Sequence, residues 1–420
     1  MNLDVIKAAG ARDIVKNAAN RVTRQQALSA LLRDGFPTRR DEAWKYTKAG
    51  PFASFAIDAL STETSNASLP DVADIVASRA KGYALVFING ERMTDLENLP
   101  AGISISDPAG EADVPTGAEH ALLQLATALP DSDLAINIAE GVTIDAPLNV
   151  IHIAETGALA QTRIHIESAA NSSVVIAEHF VNLDEAGQSM SNHAMQVNLA
   201  SSSSLKIYRV QELGTEALLS TRIDATIDTA ASFEAFTLDA GAKLTRNDIN
   251  AKLIGSDATI TMKGLYLIDG RQHVDNHTRV DHIAKDTRSD EDYRGILRDH
   301  SRAVFNGKVV VHEGADGTDA VQSNPNLLLS DHAEIDTKPE LEIYADDVKC
   351  AHGATVGQLD EKSLFYLRSR GVDLATATQL LTYAFCRETL HDVADADFRN
   401  HLEKVIAEQI PDFTALDLIE

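Results

Sequence analysis

The sequence predicts a mainly β protein: a right-handed parallel β-helix core flanked by N-terminal and C-terminal α-helical domains. Helical patterning is confined to the two ends of the 420-residue chain. Between them short strands recur, each led by small polar residues: NSSVVIAEH from Asn171, SSSLKIYRV from Ser202, AASFEAFTL from Ala230, GSDATITMK from Gly255, DHSRAVFNG from Asp299 and SDHAEIDTK from Ser330. The recurrence falls at roughly 25 to 31 residues with one gap near 45, and self-similarity on that scale marks a solenoid. Val174 and Ile176, Leu205 and Ile207, Ala258 and Ile260, and Ala333 and Ile335 read as equivalent inward positions. A β-sandwich would show hairpin turns every 8 to 12 residues, roughly. Here the corners are serine, alanine and aspartate instead.

Three regions follow: a helical and mixed N-terminal domain over 1–132, a β-helix core over 133–357 and a helical domain over 358–420. In the first, Ala27, Leu28, Ala30, Leu31 and Leu32 make one apolar helix cluster that Gly35 and Pro37 stop. Ala84 to Ile88 reads as a buried strand ended by the turn pair Asn89-Gly90, and helical patterning returns over Ala118–Leu129. In the last, Asp360 caps a helix with Gly371 at its C′ position, Asp373 starts a second and Asp397 a third. The second carries Leu374, Ala377, Leu380, Leu381, Ala384 and Phe385 on one face, suited to a partner's groove. Open β-helix ends expose strand edges, and the flanking helices are expected to cover them.

Composition bounds the function. With 44% hydrophobic and 24% charged residues the chain reads as an ordinary soluble protein. A net charge of −26 repels polyphosphate and argues against nucleic acid as a partner. No apolar run is long enough for a membrane span. Cys350 and Cys386 alone make no disulfide framework, and the charged N-terminus lacks an apolar signal core, so a cytoplasmic location is expected. No GxxxxGK[ST] loop occurs, so nucleotide hydrolysis is not this chain's work.

The run DDVKCAHGATVGQLDEKSLFYLRSRG, from Asp346 to Gly371, concentrates the chemistry. It sets Cys350 two residues before His352, and thiolate and imidazole are the side chains best suited to iron. Two ligands are too few for a cluster, so the run reads as one side of a site that another chain completes. Strand spacing equally makes Cys350 an inward-facing small hydrophobe. Gly353 argues for a strand end that would turn His352 outward. A second constellation lies on the presumed strand from His273. There His273, Asp275, His277, Arg279 and Asp281 share one face, which could bind a metal or simply be a hydrogen-bonded polar surface; His282 follows on the other. Cys386 sits at helical spacing among apolar residues and reads as core, and Trp44 as a packing anchor beside Tyr46. The enzymatic alternative is a β-helix polysaccharide lyase or hydrolase, using Asp281, Asp286, Asp290, Glu291 and Asp292 with Arg288 and Arg294. An aromatic content of 5% is low for a sugar groove.

The chain resembles the SufB/SufD family of the SUF iron–sulfur cluster assembly machinery. The likeness is carried by EIDTKPELEIYADDVKCAHGATVGQLDEKSLFYLRSRG from Glu334, RRDEAWKYT from Arg39 and QHVDNHTRVDH from Gln272. Within the family it resembles the SufD-like branch. SufB-like chains carry cysteines where this one has Ser323 and Leu367, and His-Glu-Ala-Thr where it has His352-Gly353-Ala354-Thr355. The resemblance implies a non-enzymatic scaffold that pairs with a SufB-like paralogue and docks a SufC-like ABC ATPase through Leu374, Leu380, Leu381 and Phe385. It implies His352 as a ligand for transient iron or a nascent cluster at that interface, with no cofactor held tightly by the chain alone. It also implies that the chain by itself can pair into a homodimer through the same edge.

Overall fold

A computed structural model describes residues 3–16, 20–61, 72–109, 114–184, 187–391, 393 and 395–410. Its core is a parallel β-solenoid. Nineteen strands among the described residues fall into a ten-stranded and a nine-stranded sheet, and from Ser132–Ile138 onward successive strands alternate between them. Each rung therefore holds two strands, and strands of one sheet start 25 to 32 residues apart from Leu148 and Ser132 onward.

That two-strand rung explains the irregular recurrence. The starts at Asn171, Ser202, Ala230 and Gly255 lead into the ten-stranded sheet, whereas those at Asp299 and Ser330 lead into the other. The gap near 45 residues is one and a half rungs. It holds the strands His273–His282 and Arg288–Leu297 rather than one irregular rung. Two positional expectations change accordingly. Val174 aligns with Leu205, Phe233 and Ile260, so Ile260 takes the first inward place and Met262 the second. Ile335 stacks on Ala303 in the opposite sheet.

The small polar corners have a backbone reason. Asn171, Ser202, Ala230, Asp257 and Asp286 all adopt positive φ between 54° and 61° at the entry to a strand of the ten-stranded sheet. Asn and Asp tolerate this left-handed conformation best among residues with a Cβ. Within the strands, alternation sends side chains inward and outward by turns. Val174, Ile176, Leu205, Ile207, Phe233 and Ile260 meet Ile166, Val197, Ile227 and Leu253 of the facing sheet in one apolar core.

The strand Tyr83–Ile88 pairs in parallel with Leu148–Ala154 and extends the ten-stranded sheet. The Asn89-Gly90 pair then reverses the chain into Glu91–Arg92 with φ of 50° and 86°, the two positive values of a type I′ turn. Helices line the outer faces. Near the N-terminus, Asp4–Lys16, Arg21–Asp34, Gly50–Ser61 and Ala121–Ala128 bury Ile6, Leu31, Phe52 and Leu125 against Met190, Leu218 and Leu244 of the nine-stranded sheet. Trp44 donates Nε1–H to the carbonyl of Glu119 and lies under the Arg246 guanidinium, so it does anchor this layer.

At the other terminus the helices are Glu361–Ser369, Leu374–Leu390 and Ala396–Gln409. Asp360, Asp373 and Asp395 cap them, each accepting from the backbone N–H three residues on, and Gly371 has φ of 94° after the first. The third helix thus starts at Ala396, capped by Asp395, and Asp397 lies in its first turn. The last two bury Tyr383, Cys386, Leu390, Phe398, Leu402 and Ile406 on Tyr208, Phe236, Leu265 and Ile296 of the ten-stranded sheet. They cover its face, and among the described residues the C-terminal end of the solenoid is left open, contrary to the expected capping. No helix among the described residues is long and apolar enough to cross a membrane.

Candidate functional site at the open end of the solenoid

The last two strands, Glu334–Ile343 and Lys349–Gly357, are the edges of the two sheets at the C-terminal end of the solenoid. They differ in how they meet solvent. The first carries Lys338, Pro339, Glu340 and Glu342, and charges with proline keep an edge from recruiting another strand. The second reads KCAHGATVG, with no charge or proline after Lys349. Around this end Tyr344 is 62% exposed and Val356 52%.

His352 lies in the middle of the unguarded edge. The strand runs straight through Gly353 to Gly357, so that glycine neither ends nor bends it. In register, the place of Ile176 is taken by Ile207, Ala235, Met262, Glu291, Gln322 and finally His352. The imidazole therefore ends an inward column, exposed because no further rung covers it. Cys350 stacks on Ala320 and packs against the interior, and burial together with nearby Asp319 pushes its thiol up, away from the thiolate a metal needs. Cys386 is fully buried and burial raises its thiol strongly, as expected of a core residue.

Below His352 the column is polar. Glu291 accepts from Thr278 Oγ1 at 2.5 Å and Gln322 Nε2 at 3.1 Å, and burial pushes its carboxyl up to about 7. The folded state holds a proton there that the unfolded chain releases near 4.5. The resulting stability is full below that value and is lost as pH rises through about 7. Glu291→Gln, which cannot ionise, is expected to be more stable than wild type at pH 8, by about 1–3 kcal/mol, and similar to it near pH 4.5. Urea unfolding at both pH values measures this, and an unchanged difference would sink the assignment.

The strand His273–His282 matches its expected faces. His273 Nε2 lies 2.9 Å from Thr47 Oγ1, and His277 Nε2 lies 2.9 Å from Asp275 Oδ1. Asp275 also accepts from Arg246 Nη1 at 2.8 Å. Burial alone would raise its carboxyl, but Arg246 and His277 hold it far below the usual range. The face is a hydrogen-bonded seat for the N-terminal layer, and His282 points inward to Thr287 and Ser289. The seven residues of the carbohydrate alternative do not converge. Glu291 is enclosed in the interior, Asp281 pairs with Arg279 on one sheet and Asp292 with Arg294 on the other.

On the helix Leu374–Leu390, Leu374 is exposed and Leu380 and Leu381 are half-buried. Phe385 packs toward the sheet beneath the Arg294 guanidinium, which makes it partly structural. Phe365 at 74% and Tyr366 on the preceding helix extend the exposed apolar surface, and the docking face read from the sequence omitted both. Sequence reading also missed two histidine clusters, the buried His152–Glu178–His193 and the partly buried His179–Glu212–His401. Their members come from different strands and, for His401, from the last helix, so only strand register and helix docking bring them together.

The comparisons with known proteins agree with this architecture. The profile described as "SUF system FeS cluster assembly, SufBD core domain" matches residues 151–385. The chain belongs to the SufB/SufD family. It is 32% identical to the iron–sulfur cluster assembly protein SufD of Escherichia coli over 92% of both chains. It is 27% identical to a SufBD family protein of Synechocystis over 91% of this chain and 90% of that one. SufD of Bacillus subtilis is 25% identical over 70% of this chain and 67% of its own. Membership in the SufB/SufD family places the chain in SUF iron–sulfur cluster assembly.

Proposed function

We propose that this chain is a non-catalytic scaffold subunit that adds its strand Lys349–Gly357 to the matching edge of a SufB-like paralogue. The observation that carries this reading is the contrast between the two free edges. One is guarded by Lys338, Pro339, Glu340 and Glu342, while the other is a nine-residue strand whose outer side has no strand partner among the described residues and which carries one charge, at its start. Adding a strand satisfies such an edge along its length, with pockets for alternate side chains giving specificity. His352 then lies at the seam and offers its imidazole to iron or a nascent cluster, the substrate of the assembly, while thiolates come from the partner. The exposed Phe365, Tyr366 and Leu374, with the half-buried Leu380 and Leu381, form the surface for a SufC-like ABC ATPase.

Co-expression with SufB-like and SufC-like partners, followed by size-exclusion chromatography with light scattering, tests the reading. The expected product holds one copy each of the paralogue and this chain and two of the ATPase. Elution of this chain alone, as monomer or homodimer, in the presence of both partners would count against it.

A further inference from the structure

We propose that His179, Glu212 and His401 form a binding site for one first-row divalent transition metal, of the Zn²⁺ or Fe²⁺ class, that clips the last helix to the solenoid. The reading does not depend on the scaffold role. The site lies on the outer face of the ten-stranded sheet, six strands from the open edge, which is roughly 30 Å at about 4.8 Å per strand. His179 projects outward from Ser173–Asn182, Glu212 ends Ser204–Glu212, and His401 comes from Ala396–Gln409. One donor atom from each lies within 4.8 Å of the others.

The deciding observation is His179. It is 1% exposed, and neither ring nitrogen has a hydrogen-bond partner. Leaving a buried polar group unpaired costs about 1–3 kcal/mol, so such groups need a reason. Its ring stands edge-on to Phe398, with centroids 5.6 Å apart, and lies 5.6 Å from the His401 ring. Burial, with His401 next, pushes it down to about 3, which keeps the imidazole neutral and its lone pair available at neutral pH. Glu212 stays ionised, because His401 and Arg79 outweigh its burial. Its Oε2 is 3.0 Å from His401 Nε2. Two donors bound to one ion at about 2.1 Å stand at most about 4.2 Å apart, so the present spacing closes on a metal with small side-chain shifts. Two imidazoles and one carboxylate with open positions are a set that zinc and ferrous iron both take.

The second cluster is the weaker candidate. Glu178 is already held by Arg209 Nε at 2.6 Å and sealed at 0% exposure. At Glu212 the competing Arg79 is at 3.4 Å and sits at the rim with partial exposure, so it can give way and leave an entry path.

Titration of the chelator-stripped full-length chain with Co²⁺, read by visible absorption, and with Zn²⁺, read by calorimetry, tests the site. One equivalent is expected to bind and to raise the melting temperature. Glu212→Gln, which preserves shape, and His401→Ala, at a half-exposed position, are each expected to weaken binding roughly tenfold or more and to abolish the thermal shift. Absence of binding to wild type overturns the proposal. So does binding that survives both substitutions, or that is lost instead in His193→Gln or His352→Ala.

Discussion

Replacing His352 with alanine is expected to lower cluster formation on the assembled complex by roughly tenfold or more, and to leave the complex itself intact. The expectation follows from where the side chain stands. His352 is exposed on the terminal strand, at the end of an inward column and over Gln322, so its loss opens no cavity in the core. Strand addition uses backbone groups, which alanine retains. A ligand imidazole has no substitute among its neighbours, because the Cys350 thiol is held protonated by its burial. Copurification of partners and iron bound per complex are the two readouts. Loss of partners in the variant would make His352 a structural residue, and unchanged iron loading would remove it from the ligand set.

The second large effect is on stability. Arg209→Ala is expected to destabilise the chain by about 3–5 kcal/mol, the usual result of removing one member of a buried ion pair. Arg209 donates Nε–H to Glu178 Oε2 and an Nη1 hydrogen to Thr221 Oγ1, both at 2.6 Å, inside the solenoid. Burial alone would raise the Glu178 carboxyl, yet Arg209, His193 and His152 together hold it well below the usual range. Without the guanidinium the carboxylate is enclosed and uncompensated. The deficit in urea unfolding should therefore be larger at pH 8 than at pH 5, where the carboxyl can take up a proton. A uniform loss across that range would point to lost packing over the Phe180 ring instead. Pairing the substitution as Glu178→Gln with Arg209→Met should recover part of the loss, since matched replacement of both partners removes the stranded charge.

Local rules made much of this structure readable from the chain alone. Asp360 and Asp373 could be named as caps because a cap depends on residues three positions away. The alternation over His273–His282 assigned both faces of that strand, since the period of two needs no knowledge of its neighbours. Other features depend on register, which is set by pairing between residues about 30 positions apart. Whether Ile335 stacks on Ala303 in the nine-stranded sheet or joins the ten-stranded sheet with Val174 and Leu205 is invisible until the number of strands per rung is known. The same holds for the buried Glu291, which reads from the chain as one acid in a charged run, and for His179, which neighbours His401 across 222 positions. His352 was legible as a residue type in a motif. Its inward register was obscured by Gly353, which the sheet absorbs as ordinary strand.

The alternating assignment of strands has a temporal consequence. Each rung packs only on its neighbours, so order spreads along the solenoid by nearest-neighbour addition. During synthesis the N-terminal rungs leave the ribosome first and are complete while Lys349–Gly357 is still being made. The unguarded edge is thus the last part of the solenoid to come into being. A chain stalled short of its final rungs would expose apolar interior in place of that edge.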